Sequence, residues 1–323
     1  MPSLECEASR YHSSRMKNMQ RSLIIAAALA AVGASAFAQS SVTVYGRLNL
    51  SVERQEAGTG PTNTVMQNNS SRWGIKGSED IGGGLKAGFQ LESGFNAANG
   101  TTGAAFWGRQ SEVNLSGGFG MVRLGNFTSE AYFATADYVG MHNHDTGTSS
   151  DALYTYLGRD ASKLAYRSPS FGGATLEVAT TVATPAQADT LDLALNYVAG
   201  PMHLGAGYQK DGSSNQLAVR GLYELGAITL GGYFQRSDVA VAGTRNTFRL
   251  AAAYAMGNAS LHADVGRASD FSNVVNSSAT QMTLAYNYNL SKRTKVYTFY
   301  TKVNADVAAA DFSSLAVGVR HNF

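Results

Sequence analysis

The stretch SVTVYGRLNLSVE, residues 41–53, alternates between apolar and polar side chains. One face carries valine and leucine (Val42, Val44, Leu48, Leu50 and Val52), and the other carries Thr43, Tyr45, Arg47, Asn49, Ser51 and Glu53. A side-chain period of two indicates a β-strand with one apolar face. The chain ends in the same pattern, LAVGVRHNF at 315–323. Chain ends usually fray, so alternation kept to the last residue indicates that the terminal strand is paired.

Segments of this kind recur along the whole chain. They begin near residues 41, 71, 85, 107, 121, 163, 173, 190, 202, 215, 227, 245, 258, 280, 294 and 314, which makes sixteen. Short connections such as 78–84 alternate with long ones such as 127–162. A content of 16 Tyr and 14 Phe argues against a disordered chain, and only 15% charged residues is unusual for a soluble enzyme.

A soluble β-sandwich also alternates, so it is the competing interpretation of this pattern. Two features favour a membrane barrel. The apolar face ends in aromatic residues near strand ends, and the opposite face carries charges in mid-strand, where a sandwich needs to expose them. A barrel in a membrane is apolar outside and polar inside, and its closure leaves no unpaired strand edge. The sequence therefore predicts an all-β fold, a 16-stranded antiparallel transmembrane β-barrel.

The N-terminus has the features of an exported protein. Lys17 and Arg21 precede the apolar run 22–38, which ends Ala36-Phe37-Ala38. This order of basic, apolar and small residues is typical of a secretory signal peptide, and the run is too short for a comfortable transmembrane helix. We expect residues 1–38 to be an N-terminal extension and signal peptide that starts at Met16 or Met19 and is cleaved after Ala38. Residues 39–323 then form the barrel domain.

Cleavage changes the charge and the cysteine content. It removes four of the 25 basic and two of the 23 acidic residues, which leaves 21 of each. The mature chain is then neutral and gives no indication of nucleic-acid binding. The single cysteine, Cys6, is lost as well, so no disulfide or cysteine-ligated metal is expected. We predict no cofactor.

Several stretches resemble the Gram-negative general porins, most closely the β-proteobacterial branch. They are SVTVYGRL (41–48), SRWGIKGSEDIGGGLKAGFQLESGF (71–95), GRQSEVNLSGGFGMVRLG (108–125), YRSPSFGG (166–173), LSKRT (290–294) and VRHNF (319–323). The resemblance implies a homotrimer of 16-stranded barrels in the outer membrane, in contact with lipid and lipopolysaccharide. It also implies passive diffusion of ions and small hydrophilic solutes, a third external loop (Phe127 to Ser162) folded into the lumen, and Phe323 as an assembly signal.

The resemblance and the strand pattern together suggest the lining of the pore. By family matching, the basic wall of the constriction is Arg47, Arg72, Lys76 and Arg167, and loop 3 supplies the acids Glu130, Asp137, Asp145 and Asp151. Lys86, Glu92, Glu112 and Glu177 are further lumen-facing residues by strand parity. A basic wall opposite an acidic loop gives a field across the pore and weak ion selectivity. We expect a weak anion preference, because the bases are clustered.

The chain departs from the family at Leu124-Gly125-Asn126-Phe127, where relatives commonly have an arginine, and at MHNHDTGTSSD (141–151), which replaces their usual turn. One constriction arginine is therefore expected to be missing, and selectivity is not transferred from relatives. His142, His144 and Asp145 do not have convincing metal-site spacing, so no metal is predicted. An adhesin or structural barrel is an alternative function. A barrel enzyme is another, although His203 and His262 have no evident partner in the sequence.

Overall fold

A computed structural model describes residues 41–140, 151–158, 160–182 and 190–323. The predicted signal peptide, with its start and cleavage sites, lies outside these ranges. Asp145, His142 and His144 do so as well. Within the described ranges, no helix is long and apolar enough to cross a membrane.

The described residues form seventeen strand segments and little other regular structure. The strands are β1 (Ser41–Ala57), β2 (Asn63–Asn68), β3 (Arg72–Gly82), β4 (Leu85–Gly94), β5 (Gln110–Gly117), β6 (Gly120–Phe127), β7 (Asp160–Arg167), β8 (Ala174–Thr181), β9 (Thr190–Ala199), β10 (Met202–Asp211), β11 (Ser214–Leu225), β12 (Ile228–Val239), β13 (Gly243–Met256), β14 (Ala259–Ala268), β15 (Ala279–Asn289), β16 (Thr294–Ala305) and β17 (Phe312–Asn322). Two short helices, α1 (Glu130–Ala134) and α2 (Ala136–Val139), follow β6, and a 3-10 turn spans Ala308–Ala310.

Strands β2 and β3 together occupy one position in the wall. β1 pairs its residues 50–55 with β2 and its residues 41–47 with β3. Between the two pairings, the Asn49 side chain donates to the Asn69 carbonyl (3.0 Å), and the Asn49 amide donates to Ser71 Oγ (3.0 Å). The prediction of sixteen wall strands is confirmed, whereas β2 was not predicted because NTVMQN (63–68) has little apolar contrast.

The barrel closes by pairing its last strand with its first. β17 runs antiparallel to β1, from Arg47 opposite Asn322 to Ala57 opposite Phe312. All other neighbouring pairs are antiparallel, and every described strand except β2 pairs on both sides. Closure satisfies the backbone N–H and C=O groups along the wall, as a membrane requires.

The polarity of the two faces of the wall is the reverse of that in a soluble protein, with apolar side chains outside and polar side chains inside. The outward-facing Val42 is 67% exposed, whereas the inward-facing Gln235 is fully buried. Glutamine, asparagine, serine and threonine make up much of the buried inner face, while the exposed large side chains are chiefly valine, leucine, tyrosine and phenylalanine. This arrangement is typical of an outer wall in hydrocarbon around a polar interior.

The C-terminal residue lies over a glycine of the first strand. Phe323 exchanges two backbone hydrogen bonds with Gly46 (3.0 and 3.1 Å). A Cβ atom on Gly46 would lie 2.3 Å from the Phe323 ring, so the absence of a side chain at residue 46 makes room for that ring. The contact explains why the alternation continues to the end of the chain.

Deleting Phe323 is expected to lower the amount of folded protein in the outer membrane several-fold, because the seam loses both the ring and its two hydrogen bonds. Gly46→Leu is a matched variant, since it obstructs the ring site but leaves the terminal residue intact. The measurement is the heat-modifiable fraction in purified outer membranes. Wild-type amounts of the truncated chain would contradict the prediction.

Candidate functional site in the barrel lumen

The segment between β6 and β7 is attached to the inner face of the wall. Asp192 on β9 accepts hydrogen bonds from the amides of Glu130 and Ala131, both at 2.9 Å, at the start of α1. The buried Lys163 ammonium lies 3.0 Å from the same carboxylate. The carboxylate thus satisfies two N–H groups that have no partner within the helix, and Lys163 balances its charge.

Two glycines of β10 allow α1 to approach the wall closely. A Cβ on Gly207 would lie 2.6 Å from the Ala131 backbone, and one on Gly205 would lie 2.4 Å from the Ala134 carbonyl oxygen. A larger side chain at either position would therefore push α1 away from the wall.

The rest of the segment also contacts inward-facing residues. Arg220 on β11 donates to the Ala134 carbonyl (2.8 Å), and its guanidinium lies 3.6 Å from the centre of the Tyr138 ring. Further along, the backbone of Thr155 both donates to and accepts from the Gln235 side chain on β12 (2.9 and 2.8 Å). The described parts of the segment therefore lie against β9 to β12 at several points.

Arg123 on β6 is the centre of an ionic group, which we call the arginine–carboxylate cluster: Arg123, Glu112, Glu130, Glu177 and Arg167. All of its side chains are buried except that of Arg167, which is partly exposed. Arg123 donates to Glu112 (2.6 Å), Glu177 (2.9 Å) and Glu130, so it joins the wall to α1. Arg167 donates to Glu177 (2.6 Å), and its guanidinium lies 3.4 Å from Glu130. The cluster thus links loop 3 to β5, β6, β7 and β8.

The charges of this cluster nearly cancel. It contains three carboxylates and two guanidinium groups. Burial of Glu130, and next its proximity to Glu177, raises the pKa of its carboxyl group to about 7, although Arg123 opposes the shift. The raised pKa favours the neutral form of Glu130 and so brings the net charge of the cluster closer to zero.

A cavity of about 440 Å³ lies between the loop-3 segment and the wall. Arg72 and Arg109 line it from the wall, and Asp137 and Asp151 line it from loop 3. Glu92 holds the Arg109 guanidinium at 2.6 Å. The remaining lining is mainly aromatic: Tyr132, Phe133, Tyr154 and Tyr156. The cavity thus has Arg72 and Arg109, with Glu92 between them, on one side and two acids of loop 3 on the other.

A second feature of the lumen is a row of bases, which we call the basic stripe: Arg72, Arg47, Arg320 and Lys295. Arg72 is directly opposite Arg47 across β1 and β3, and Arg320 is opposite Lys295 across β16 and β17. Arg47 and Arg320 both donate to the side-chain oxygen of Asn322, at 3.2 and 3.4 Å. Like charges in register are unfavourable in a sheet, so the stripe has a stability cost and favours anions in front of it.

The structure separates the predicted constriction residues into groups. Arg72, Asp137 and Asp151 line the cavity, Arg47 belongs to the basic stripe, and Arg167 and Glu130 are in direct contact in the cluster. Lys76 lies 5.3 Å from the centre of the Tyr45 ring, and Lys86 is exposed beside the turn before β4. Of the other predicted lumen residues, Glu92 lines the cavity and Glu112 and Glu177 belong to the cluster. Glu130 and Arg167 thus meet without a gap between them.

Four bases of the lumen were not predicted from the sequence: Arg123, Lys163, Arg109 and Lys295 of the basic stripe. Arg123 lies between the outward-facing Val122 and Leu124, so side-chain alternation alone assigns it to the inner face of the wall. Lys163 is the inward neighbour of Leu164 in the same way. Arg109 immediately precedes β5 and has the parity of the outward-facing Val113, so only the fold places it at the cavity. Asn126, where relatives have arginine, donates to the Gly108 carbonyl at 3.2 Å.

The lumen also contains a histidine with a serine neighbour. His262 Nε2 lies 2.8 Å from Ser260 Oγ and 3.0 Å from Asn287 Nδ2. Both groups approach the same ring nitrogen, so these three residues do not form a relay that would activate the serine. Within the described ranges, no group of three or more His, Cys, Asp or Glu side chains is placed to hold a metal ion.

Comparisons with known proteins agree with this architecture. The sequence pattern of the Gram-negative porin family matches residues 26–308. Outer membrane porin protein 32 of Delftia acidovorans is 31% identical over 319 residues, which cover 86% of this chain and 88% of the relative.

Solved structures give the same fold. An anion-selective porin from Comamonas acidovorans superposes with a TM-score of 0.73 at 23% identity, over 88% of this chain and all of that one. The trimer form of OmpT from Vibrio cholerae superposes with a TM-score of 0.65 at 15% identity, over 88% of this chain and 99% of that one. With its closed barrel and polar lumen, the chain belongs to the Gram-negative porins, which are outer-membrane channels for passive diffusion.

Proposed function

We propose that this porin weakly prefers anions, and that solutes pass its narrowest part between the α1–α2 segment and the wall at Arg72 and Arg109. The basic stripe is the observation that carries the proposal. Its four bases follow one another around β3, β1, β17 and β16. Most lumen acids are bonded to an arginine or lysine, among them Glu92, which is held by Arg109 at 2.6 Å and lies 3.9 Å from Arg72 of the stripe. The name of the similar Comamonas acidovorans structure, an anion-selective porin, is consistent with this preference.

The acids of loop 3 do not cancel the stripe. Glu130 is in contact with Arg123 and Arg167, and its raised pKa reduces its average charge. Asp151 accepts a hydrogen bond from Tyr132 (2.6 Å) on the opposite side of the cavity from Arg72. Fixed charges act over about 8 Å at physiological salt, so an anion passing Arg47, Arg320 and Lys295 experiences these bases more strongly than acids that lie farther away than this length.

Single-channel recording tests this proposal. In a planar bilayer with a KCl gradient, we expect stepwise conductance and a reversal potential on the chloride side of zero. A reversal potential on the potassium side would overturn the anion preference. An adhesin or structural barrel with a closed lumen would give no conductance at all. We assign no enzymatic reaction to the chain, and the small hydrophilic solutes are unmodified by passage.

We also propose a homotrimer. The ring of the outward-facing Trp73 packs with those of Phe106 and Trp107, at 6.3 and 5.6 Å between ring centres, and Phe106 is half exposed. Strands β5 to β8 have eight residues each. With a tilt of about 40° they rise only about 20 Å, less than the apolar band of about 25 Å. A short wall with an aromatic patch suits contact with another subunit. The rest of the outer wall would contact lipid, with lipopolysaccharide towards the long loops.

The trimer gives a direct expectation on detergent gels. Unheated samples are expected to run as one large species that collapses on boiling. Trp73→Ala with Phe106→Ala is expected to lower the temperature of this collapse, because it removes the aromatic patch. A monomer mass by light scattering of the wild type in mild detergent would contradict the trimer.

A further inference from the structure

The outer face of the barrel has a long apolar depression, which we call the outer furrow. Its floor is the cross-strand pair Ala252 and Ala263, whose small side chains leave space between their larger neighbours. Two cavities of about 650 and 510 Å³ share these alanines and Leu284, so they are parts of one furrow. Its walls include Ile228, Leu230, Leu250, Leu261, Tyr286 and Tyr300.

One end of the furrow approaches the rim that carries short turns. Ile228 is the first residue of β12, and Tyr286 lies near the end of β15. The turn that follows β15 contains Lys292 and Arg293, both exposed. Tyr288, outward-facing and exposed, lies between this turn and the furrow. An apolar groove, a band of tyrosines and a basic turn thus follow one another along the same strands.

We propose that the outer furrow and the Lys292–Arg293 turn form a binding site for one anionic phospholipid, whose acyl chain fills the furrow and whose phosphate contacts the turn. Tyrosine side chains at the level of lipid headgroups are common in membrane proteins, and basic residues beside them bind anionic headgroups. The site requires only that this wall faces lipid, and does not depend on ion preference.

The physical reason for selective binding is the combination of shape and charge. Bulk lipid tails are as apolar as the wall, so transfer of a tail into the furrow has no hydrophobic driving force. Close packing of the tail against the furrow supplies part of the affinity. Attraction of the headgroup to one basic residue raises the binding affinity about fivefold, and two such residues raise it about 25-fold.

The position of the site selects phospholipid over lipopolysaccharide. Bacterial outer-membrane barrels place short turns on the periplasmic side and longer loops outside. The Lys292–Arg293 turn is therefore at the periplasmic leaflet, where phospholipid is the lipid present. Lipid A also carries phosphates, but it lies in the opposite leaflet.

Native mass spectrometry of the intact protein, titrated with dioleoyl phosphatidylglycerol, tests the site. One tightly retained lipid per chain is expected, with dioleoyl phosphatidylethanolamine bound more weakly. Ala252→Leu with Ala263→Leu fills the furrow and is expected to abolish this retained lipid. Lys292→Gln with Arg293→Gln is expected to lower the affinity for phosphatidylglycerol about 25-fold, to a value close to the affinity for phosphatidylethanolamine.

The matched controls lie elsewhere on the outer wall. Ala206→Leu adds the bulk of one of the two furrow substitutions on the outer face of β10, and Lys210→Gln removes one charge at the long-loop rim. Both variants are expected to bind the lipid as the wild type does. Heat-modifiable mobility on gels shows that each variant is folded. Unchanged binding by the furrow variant, or equal loss in a control, would overturn the site. Displacement of phosphatidylglycerol by lipid A, or burial of the furrow against another subunit, would overturn it as well.

Discussion

Replacing Arg123 by alanine is expected to detach α1 from the wall and to raise both the conductance and the current noise of single channels. Arg123 is buried and bonded to Glu112, Glu130 and Glu177. Without it, Glu130 and Glu177 keep only Arg167 as a basic partner within the cluster, and Glu112 loses its basic partner there. Leaving buried charges without a partner costs about 3–5 kcal/mol. The barrel wall has a continuous hydrogen-bonded ladder, so the movable partner, the loop-3 segment, is the part that yields.

The matched control is Arg249→Ala. Arg249 is also a buried lumen arginine, and it is bonded to Asp264 of the neighbouring strand rather than to α1. It should change conductance much less, although it also leaves a buried carboxylate. Arg123→Lys retains the charge but cannot reach three carboxylates at once, so an intermediate conductance is expected. Wild-type conductance and noise in Arg123→Ala would show that loop 3 is held in place without the cluster.

The sequence predicted the wall well because the wall depends on local pattern. Side-chain alternation has a period of two, and it assigned Arg72 and Glu92 to the lumen without knowledge of the pairing. The short strand β2 was missed for a local reason, since its residues have weak apolar contrast. The same rule assigns Arg123 to the lumen, because it lies between the outward-facing Val122 and Leu124.

The arrangement inside the lumen was not predictable in the same way. Contacts such as that of Asp192 with the amides of α1 join residues about sixty positions apart, and strand parity does not specify them. Sequence reasoning placed Arg167 opposite the loop acids across a gap, but Glu130 lies in direct contact with Arg123 and Arg167. The gap lies instead at the cavity lined by Arg72, Asp137 and Asp151.

The ion preference is expected to depend on the basic stripe, so replacing Arg47 and Arg320 by glutamine should move the reversal potential towards potassium. A unit charge at about 7 Å contributes roughly 0.6 kcal/mol in water, and salt reduces this by more than half. The loss of two such charges raises the local concentration of cations in front of the stripe and lowers that of anions. The ratio of potassium to chloride permeability therefore increases by roughly two- to fivefold. Glutamine keeps much of the side-chain length and hydrogen bonding towards Asn322.

Lys302→Gln is the control, because this exposed lysine is on the outer face of β16 and does not contact the lumen. If Arg47→Gln with Arg320→Gln leaves the reversal potential at its wild-type value, ions do not pass close to Arg47 and Arg320, and the preference must come from Arg72 and Arg109 at the cavity.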